Sequence, residues 1–110
     1  MTQEERAVAI AFYNDAFRRT PGPRWNVSAK VRALGAEFNF AAKVAVSRAE
    51  AFEVSDEIEG EHDRGTVIVD GRTLYWQIDC RDITLTARSP DMANPVVTRR
   101  MMTIMLAGEY

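Results

Sequence analysis

A β-hairpin is the strongest structural signal in this chain. Two strand-like runs, residues 66–69 and 72–79, flank the dipeptide Asp70-Gly71, which favours a two-residue type I′ turn. Such a turn fixes the register, so that Gly65 lies opposite Trp76 and leaves room for the indole ring. The expected cross-strand pairs are Val69–Arg72, Val67–Leu74, Gly65–Trp76 and Asp63–Ile78 on one face, and Ile68–Thr73, Thr66–Tyr75, Arg64–Gln77 and His62–Asp79 on the other.

The first part of the chain indicates a helix followed by a strand. Thr2 and Glu5 have the spacing of a capping box, which predicts a helix over residues 3–19. Apolar and polar residues then alternate, and this period of two predicts a strand over residues 25–32. The expected buried face of the helix consists of Ala9, Phe12, Tyr13, Ala16 and Phe17. The apolar residues expected on the buried face of the strand are Trp25, Val27, Ala29 and Val31.

Two further helices complete the expected fold. Apolar residues at three- and four-residue steps predict a helix over residues 36–52. Asn94-Pro95 is typical of an N-cap followed by proline at the first helical position, and predicts a last helix over residues 95–108. That helix is apolar on most sides, which is typical of a central helix or an interface. We therefore expect one α+β domain over residues 1–110, in the order α-β-α-β-β-α, with a three-stranded, mostly antiparallel sheet packed against helices.

Composition and charge exclude several classes of protein. Apolar residues make up 46% of the chain and charged residues 27%, which is ordinary for a soluble domain. The net charge of −2 lacks the basic excess of a nucleic-acid-binding protein, so direct nucleic-acid binding is not expected. Cys80 is the only cysteine, so an intrachain disulfide is impossible and a reducing cytoplasm is favoured. Neither a signal peptide nor a membrane span is indicated.

His62 is the only histidine, so any imidazole chemistry must use it. The hairpin register places His62 opposite Asp79, and a carboxylate beside an imidazole can orient it as a general base. Together with Asp63 and Asp82, these side chains could supply nitrogen and oxygen ligands to a divalent metal. Two alternatives stay open: a structural cross-strand pair at the end of the sheet, or a role in binding a partner. No metal-site motif is present, so no metal or cofactor is predicted.

An acidic segment precedes the hairpin, over residues 54–61. Its composition is typical of a solvated loop, and the more specific alternative is an acidic surface on which a partner docks. The carboxylates of this segment are Asp56, Glu57, Glu59 and Glu61. We take them, with His62, Asp63, Asp79 and Asp82, as the candidate partner-binding residues.

Nucleophilic chemistry has little support in the sequence. Cys80 falls on the apolar face of its predicted strand, which predicts a core thiol. The serines Ser28 and Ser47 lack the Gly-x-Ser-x-Gly context of a nucleophile elbow, and the chain has no glycine-rich phosphate loop. Catalytic residues are therefore not assigned, and an enzymatic function is uncertain and not favoured.

Three runs of sequence, matching in order, resemble one known family. Gly60-Glu61-His62-Asp63-x-Gly65 resembles its Gly-Glu-His-Asp-Phe-Gly motif, and Trp76-x-Ile78-Asp79-x-x-Asp82 resembles its Trp-Lys-Ile-Asp-Tyr-Tyr-Asp segment. Residues 89–110, from Ser89-Pro90-Asp91 through Asn94-Pro95-x-x-Thr98-Arg99-Arg100 to Glu109-Tyr110, resemble its C-terminal signature. The family is domain-of-unknown-function family 3768, small bacterial proteins often carried on mobile elements. Arg64 replaces its phenylalanine, and Cys80-Arg81 replaces its two tyrosines.

The resemblance implies that the protein is encoded on a mobile element, but it implies no activity. Small size, the acidic segment and that setting favour a non-enzymatic binding protein that acts on a host protein. Its narrowest form is an inhibitor of a bacterial defence system, of the anti-CRISPR or antirestriction type. The alternative is a metal-dependent hydrolase or nuclease that uses His62, Asp63, Asp79 and Asp82. A homodimer, formed through an exposed sheet edge or the last helix, is a further possibility.

Overall fold

The structure, a computed structural model, describes residues 1–50 and 60–109. Within them the chain forms three helices, with a short strand between the first two, and then three further strands. The elements are α1 (Gln3–Arg18), β1 (Trp25–Val27), α2 (Ala29–Arg32), α3 (Ala36–Ser47), β2 (Arg64–Val69), β3 (Arg72–Arg81), β4 (Arg99–Leu106) and a terminal 3-10 turn (Ala107–Glu109). None of the helices in these residues is long and apolar enough to cross a membrane.

The sheet confirms the α+β class but has one strand more than expected. Its order is β1-β4-β3-β2. The β2–β3 and β3–β4 pairs are antiparallel, whereas β1 pairs with β4 in parallel. The sheet is therefore mixed and four-stranded.

The hairpin is confirmed for six of its eight predicted pairs. Six predicted pairs, from Val69–Arg72 to Arg64–Gln77, have the expected register. Asp70 and Gly71 have φ values of 49° and 75°, the left-handed conformation that a type I′ turn requires. A Cβ added at Gly65 would lie 3.0 Å from the Trp76 ring. Glycine is therefore needed where the indole crosses the neighbouring strand.

The last predicted helix is wrong, because its residues form the central strand β4. β4 lies between β1 and β3, and its burial alternates from residue to residue. Arg100, Met102 and Ile104 are buried on one face. A central strand is apolar on most of its surface, so its composition resembles that of a buried helix. Residues 95–108, all within the described part of the chain, therefore contain no α-helix that could act as a dimer interface.

Two other predicted elements are shorter than expected. The predicted strand over residues 25–32 ends at Val27, because Ser28 caps the short helix α2 by accepting a hydrogen bond from the Val31 amide at 3.2 Å. The helix predicted over residues 36–52 ends at Ser47. Its last two predicted residues lie outside the described part of the chain.

The helices contribute to a core on one face of the sheet. Its larger members are Trp25, Phe38, Leu74, Trp76, Ile78, Met102 and Ile104. Helix α1 has the expected capping box. Of its predicted buried face, Phe17 packs against the core, but the prediction is wrong for Phe12 and Ala16, which are exposed. The buried positions of α1 are Ala7, Ile10, Ala11, Asn14 and Arg18, whereas Phe12 is 67% exposed.

Candidate binding cleft

A cleft of about 350 Å³ lies between α1 and the end of β3. Strand β3 runs four residues beyond Gln77, the last residue that pairs with β2. Beyond Gln77 the Asp63 backbone contacts this edge of β3 at Ile78, and the backbone of Arg88 and Ser89 contacts it at Cys80 and Arg81. The open edge of β3 is the part between these contacts, from Ile78 to Cys80. The cleft is lined by Ile10, Asn14, Glu61, Asp63, Arg64, Ile78, Asp79, Cys80, Arg81, Arg88 and Met92.

The backbone before β2 turns away from the sheet and opens this edge. Gly60 and His62 have φ values of 73° and 57°, in the left-handed region that non-glycine residues rarely adopt. The Ile78 amide still donates to the Asp63 carbonyl at 2.7 Å, and the Cys80 carbonyl accepts from the Ser89 amide at 3.0 Å. Backbone groups alternate along a strand, so the Ile78 carbonyl and the Cys80 amide also point towards this side.

The wall of the cleft is held by a buried polar network around Asn14. Its side-chain amide donates to the Glu61 carbonyl at 2.9 Å and accepts from Arg100 Nε at 2.6 Å. Arg100 also donates to the Met92 carbonyl at 2.8 Å and stacks over the Tyr13 ring at 5.7 Å. Burial lowers the pKa of Arg100. One asparagine therefore joins α1, β4 and the segment before β2.

The charged lining contains both signs. Asp63 and Arg64 form an ion pair at 3.2 Å. Burial opposes the charge of Arg64, but the hydrogen bond and charge of Asp63, with a contribution from Tyr75, raise its pKa. Arg81 and Arg88 are bridged through their backbones, and both have exposed side chains at the rim. The rim thus places two exposed guanidinium groups next to the open edge.

Cys80 faces the helix side of the sheet, as predicted, but it also lines the cleft. Its thiol is part-buried, and Sγ lies 3.9 Å from Asn14 Oδ1. Burial raises the pKa of this thiol, although the charge of Arg100 opposes the effect. Burial therefore disfavours the thiolate, which is the form of cysteine that acts as a nucleophile.

The predicted His62–Asp79 pair is wrong. His62 Nδ1 lies 3.1 Å from Asp15 Oδ2 on α1, because its backbone leaves the hairpin before the strand begins at Arg64. Asp79 lies in the cleft lining instead. The imidazole thus fastens the segment before β2 to α1.

The predicted four-residue cluster does not form. Asp82 binds its own loop, accepting from Thr84 Oγ1 at 2.9 Å and from the Thr86 amide at 3.1 Å. These bonds, with the Thr84 hydroxyl the strongest, lower the pKa of Asp82. Throughout residues 1–50 and 60–109, no three His, Cys, Asp or Glu side chains come together in a way that could hold a metal ion.

Three candidate partner-binding residues do lie together. Glu61, Asp63 and Asp79 all line the cleft, whereas Asp56, Glu57 and Glu59 lie outside the described residues. Sequence reasoning missed Asn14, Arg81 and Arg88 as site residues. A usable signal for Asn14 was its position four residues before Arg18 and three or four after the apolar pair Ile10-Ala11, on one helical face.

Comparison with protein families places the chain. A scan against family models matches residues 27–109 to a family described as a protein of unknown function, DUF3768. The chain belongs to this family. No match was found in searches of curated proteins and solved structures. The residues matched to DUF3768 include the whole β3 side of the cleft, whereas the α1 wall lies outside the match.

Proposed function

We propose that this DUF3768 member is a non-enzymatic binding protein that holds an extended segment of another protein in the cleft. The observation that carries the proposal is the open edge of β3 between Ile78 and Cys80, which forms one side of a cleft with charged walls. An exposed strand edge is a template for pairing with a further strand. The cleft restricts such pairing to a short segment.

Backbone geometry supports one direction for the bound segment. In a parallel pair, a residue of one strand bonds to the two neighbours of the residue opposite it. Its amide donates to the carbonyl of the preceding neighbour, and its carbonyl accepts from the amide of the following neighbour. The Ile78 carbonyl and the Cys80 amide flank Asp79 in this arrangement. The Cys80 carbonyl is already used by Ser89, so the antiparallel alternative would lose one of its two bonds at Cys80.

Side-chain charge supports a partner segment that carries a carboxylate. Arg81 and Arg88 stand side by side at the rim, and arginine binds carboxylates through a planar pair of donors. Arg64 is already paired with Asp63. We therefore assign the two rim arginines as the cations that bind the carboxylate of the partner.

The narrower prediction, an inhibitor of a bacterial defence system, rests on small size and the setting that the family resemblance implies. It is tested by expressing the protein in a host with an active defence system and measuring phage plating and plasmid transfer. The expected result is relief of interference. Unchanged interference would remove this narrower function and leave the binding cleft.

The alternative, a metal-dependent hydrolase or nuclease, gains no support from the cleft. His62 is paired with Asp15, Asp63 with Arg64, and Asp82 with its own loop. We expect no change in melting temperature with Mn²⁺ or Zn²⁺. A rise in melting temperature that is absent in His62→Ala would revive the alternative.

The binding proposal is tested by affinity capture from nuclease-treated host lysate, read by quantitative mass spectrometry. Arg81→Glu reverses a rim charge, and Arg72→Glu is its matched control, because both arginines are exposed and stand at opposite ends of β3. We expect one dominant partner with the wild type and Arg72→Glu, reduced at least about tenfold with Arg81→Glu. Equal capture by all three proteins would contradict binding at the cleft.

A further inference from the structure

The outer side of α1 carries a continuous stripe of exposed residues. Residues at three- and four-residue steps lie on one side of a helix. Val8 and Phe12 are 70% and 67% exposed. We define the outer stripe as Glu5, Val8, Phe12, Ala16 and Arg19, all of them exposed. It lies on the other side of the helix from Asn14 and Arg18.

The stripe is self-complementary in charge and shape. Its N-terminal end carries the acidic Glu5 and its C-terminal end the basic Arg19, with Phe12 midway between them. Antiparallel packing of two such helices brings Glu5 beside Arg19 of the second copy at both ends. The same arrangement places Val8 against Ala16 and Phe12 against Phe12.

We propose that a second copy of this chain docks on the outer stripe, with the two α1 helices antiparallel about a twofold axis at Phe12. A twofold interface uses the same patch on both copies, and a stripe whose halves complement each other meets that condition. The repulsion of like ends, Glu5 against Glu5 and Arg19 against Arg19, disfavours the parallel arrangement. This pairing is independent of the cleft, which lies on the inner side of α1.

The helix is held in shape before it pairs. The capping box fixes its first turn, with Thr2 and Glu5 exchanging two hydrogen bonds of 3.1 Å. Tyr13 packs edge-on against the Phe12 ring at 5.3 Å and limits its orientation. A 16-residue helix is only about 24 Å long, so we expect a reversible dimer whose population depends on concentration.

Sedimentation equilibrium of the full chain over a range of concentrations tests the pairing. Phe12→Ser removes the central contact, and Phe40→Ser is the matched control, because Phe40 is 71% exposed on α3. The expected result is a dimer in the wild type and Phe40→Ser, with a dissociation constant at least about tenfold higher for Phe12→Ser. A monomer at every concentration, or equal behaviour of Phe12→Ser and the wild type, would overturn the proposal.

Disulfide crosslinking tests the direction of the helices in a Cys80→Ser background. In antiparallel packing, the cysteine of Phe12→Cys lies beside the same cysteine of the second copy. The cysteine of Val8→Cys lies about 12 Å along the helix axis from its equivalent in the second copy. We expect rapid crosslinking of Phe12→Cys, slow crosslinking of Val8→Cys alone, and rapid crosslinking of Val8→Cys mixed with Ala16→Cys. Self-crosslinking of Val8→Cys as fast as that of Phe12→Cys would overturn the antiparallel arrangement.

Discussion

Each side of α1 carries two large side chains whose polarity is unusual for that side. The inner side buries Asn14 and Arg18 to 1% and 2% exposure, whereas the outer side leaves Val8 and Phe12 mostly in solvent. Buried polar groups are costly unless hydrogen-bonded, and both inner residues are. Large exposed apolar groups on one stripe are typical of an interaction surface. One helix therefore builds the cleft wall with one side, and we propose that its other side is a contact surface.

Arg18→Ala is expected to show the largest difference between the two sides. Arg18 Nη1 donates to the Val46, Ser47 and Ala49 carbonyls at the C-terminal end of α3, and Nη2 pairs with Asp15 at 3.1 Å. Its loss leaves buried carbonyls without a donor and lowers the free energy of unfolding by about 3–5 kcal/mol. Urea denaturation measures this.

The matched control for Arg18→Ala is its exposed neighbour. We expect Arg19→Ala to change the free energy of unfolding by less than about 0.5 kcal/mol in dilute solution. Equal losses in the two variants would show that the inner side does not stabilise the fold as we describe.

Asn14→Ala is expected to cost about 2–3 kcal/mol, because it leaves the buried Arg100 Nε and the Glu61 carbonyl without their partner. Urea denaturation also measures this loss. Asn26→Ala is the control, since Asn26 is exposed on β1. If Asn14→Ala is as stable as Asn26→Ala, the polar network does not hold the cleft wall.

Thr2→Ala removes the cap that both sides of α1 share. We expect a loss of about 1 kcal/mol in the free energy of unfolding, together with weaker dimerisation. Thr20→Ala, a change of the same chemistry beyond the other end of the helix, serves as the control. A variant that loses dimerisation with no change in helix content would show that Thr2 itself lies in the contact.

Phe12→Ser is expected to leave the fold almost unchanged, within about 0.5 kcal/mol in dilute solution, because the ring is mostly exposed. Ile10→Ser, two residues away on the inner side, is expected to cost more than about 2 kcal/mol. Thermal melts of the two variants compare the sides directly. A large loss in Phe12→Ser would mean that the outer side belongs to the core.

The smallest expected effect is on the pH dependence of stability, and it comes from the N-terminal end of α1. The Thr2 amide donates to the Glu5 carboxylate and lowers its pKa below the usual 4.5. A lowered folded-state pKa gives stability that is present above pH 4.5 and is lost as pH falls through the folded value. We expect Glu5→Gln to flatten this part of the acid unfolding curve. An unchanged curve would contradict the capping role of the carboxylate.

The sequence predicts correctly those elements that depend on residues close together in the chain. The Asp70-Gly71 turn defines the hairpin register, and the Thr2–Glu5 spacing defines the start of α1, because both depend on residues a few positions apart. The nature of β4 depends on its neighbours β1 and β3, which are distant in sequence. An apolar run beginning near Asn94-Pro95 is compatible with a helix until those neighbours are known.

The candidate site shows the same difference between contacts that are near in sequence and contacts that are distant. Glu61, Asp63 and Asp79 could be predicted as neighbours because the hairpin brings them near one another. Asn14 and Arg100 could not, since their contact joins α1 to β4 across 86 residues. The register prediction also failed at His62, where a positive φ takes the chain off the strand.

The most important of these proposals is that an extended segment of the partner pairs with the open edge of β3. Amide hydrogen exchange, read by NMR in the free protein and in its complex with the captured partner, tests it most directly. We predict that exchange of the Cys80 amide slows at least about tenfold in the complex, while the Ile78 amide, already bonded to Asp63, changes little. Unchanged exchange at Cys80 in a saturated complex would contradict the claim.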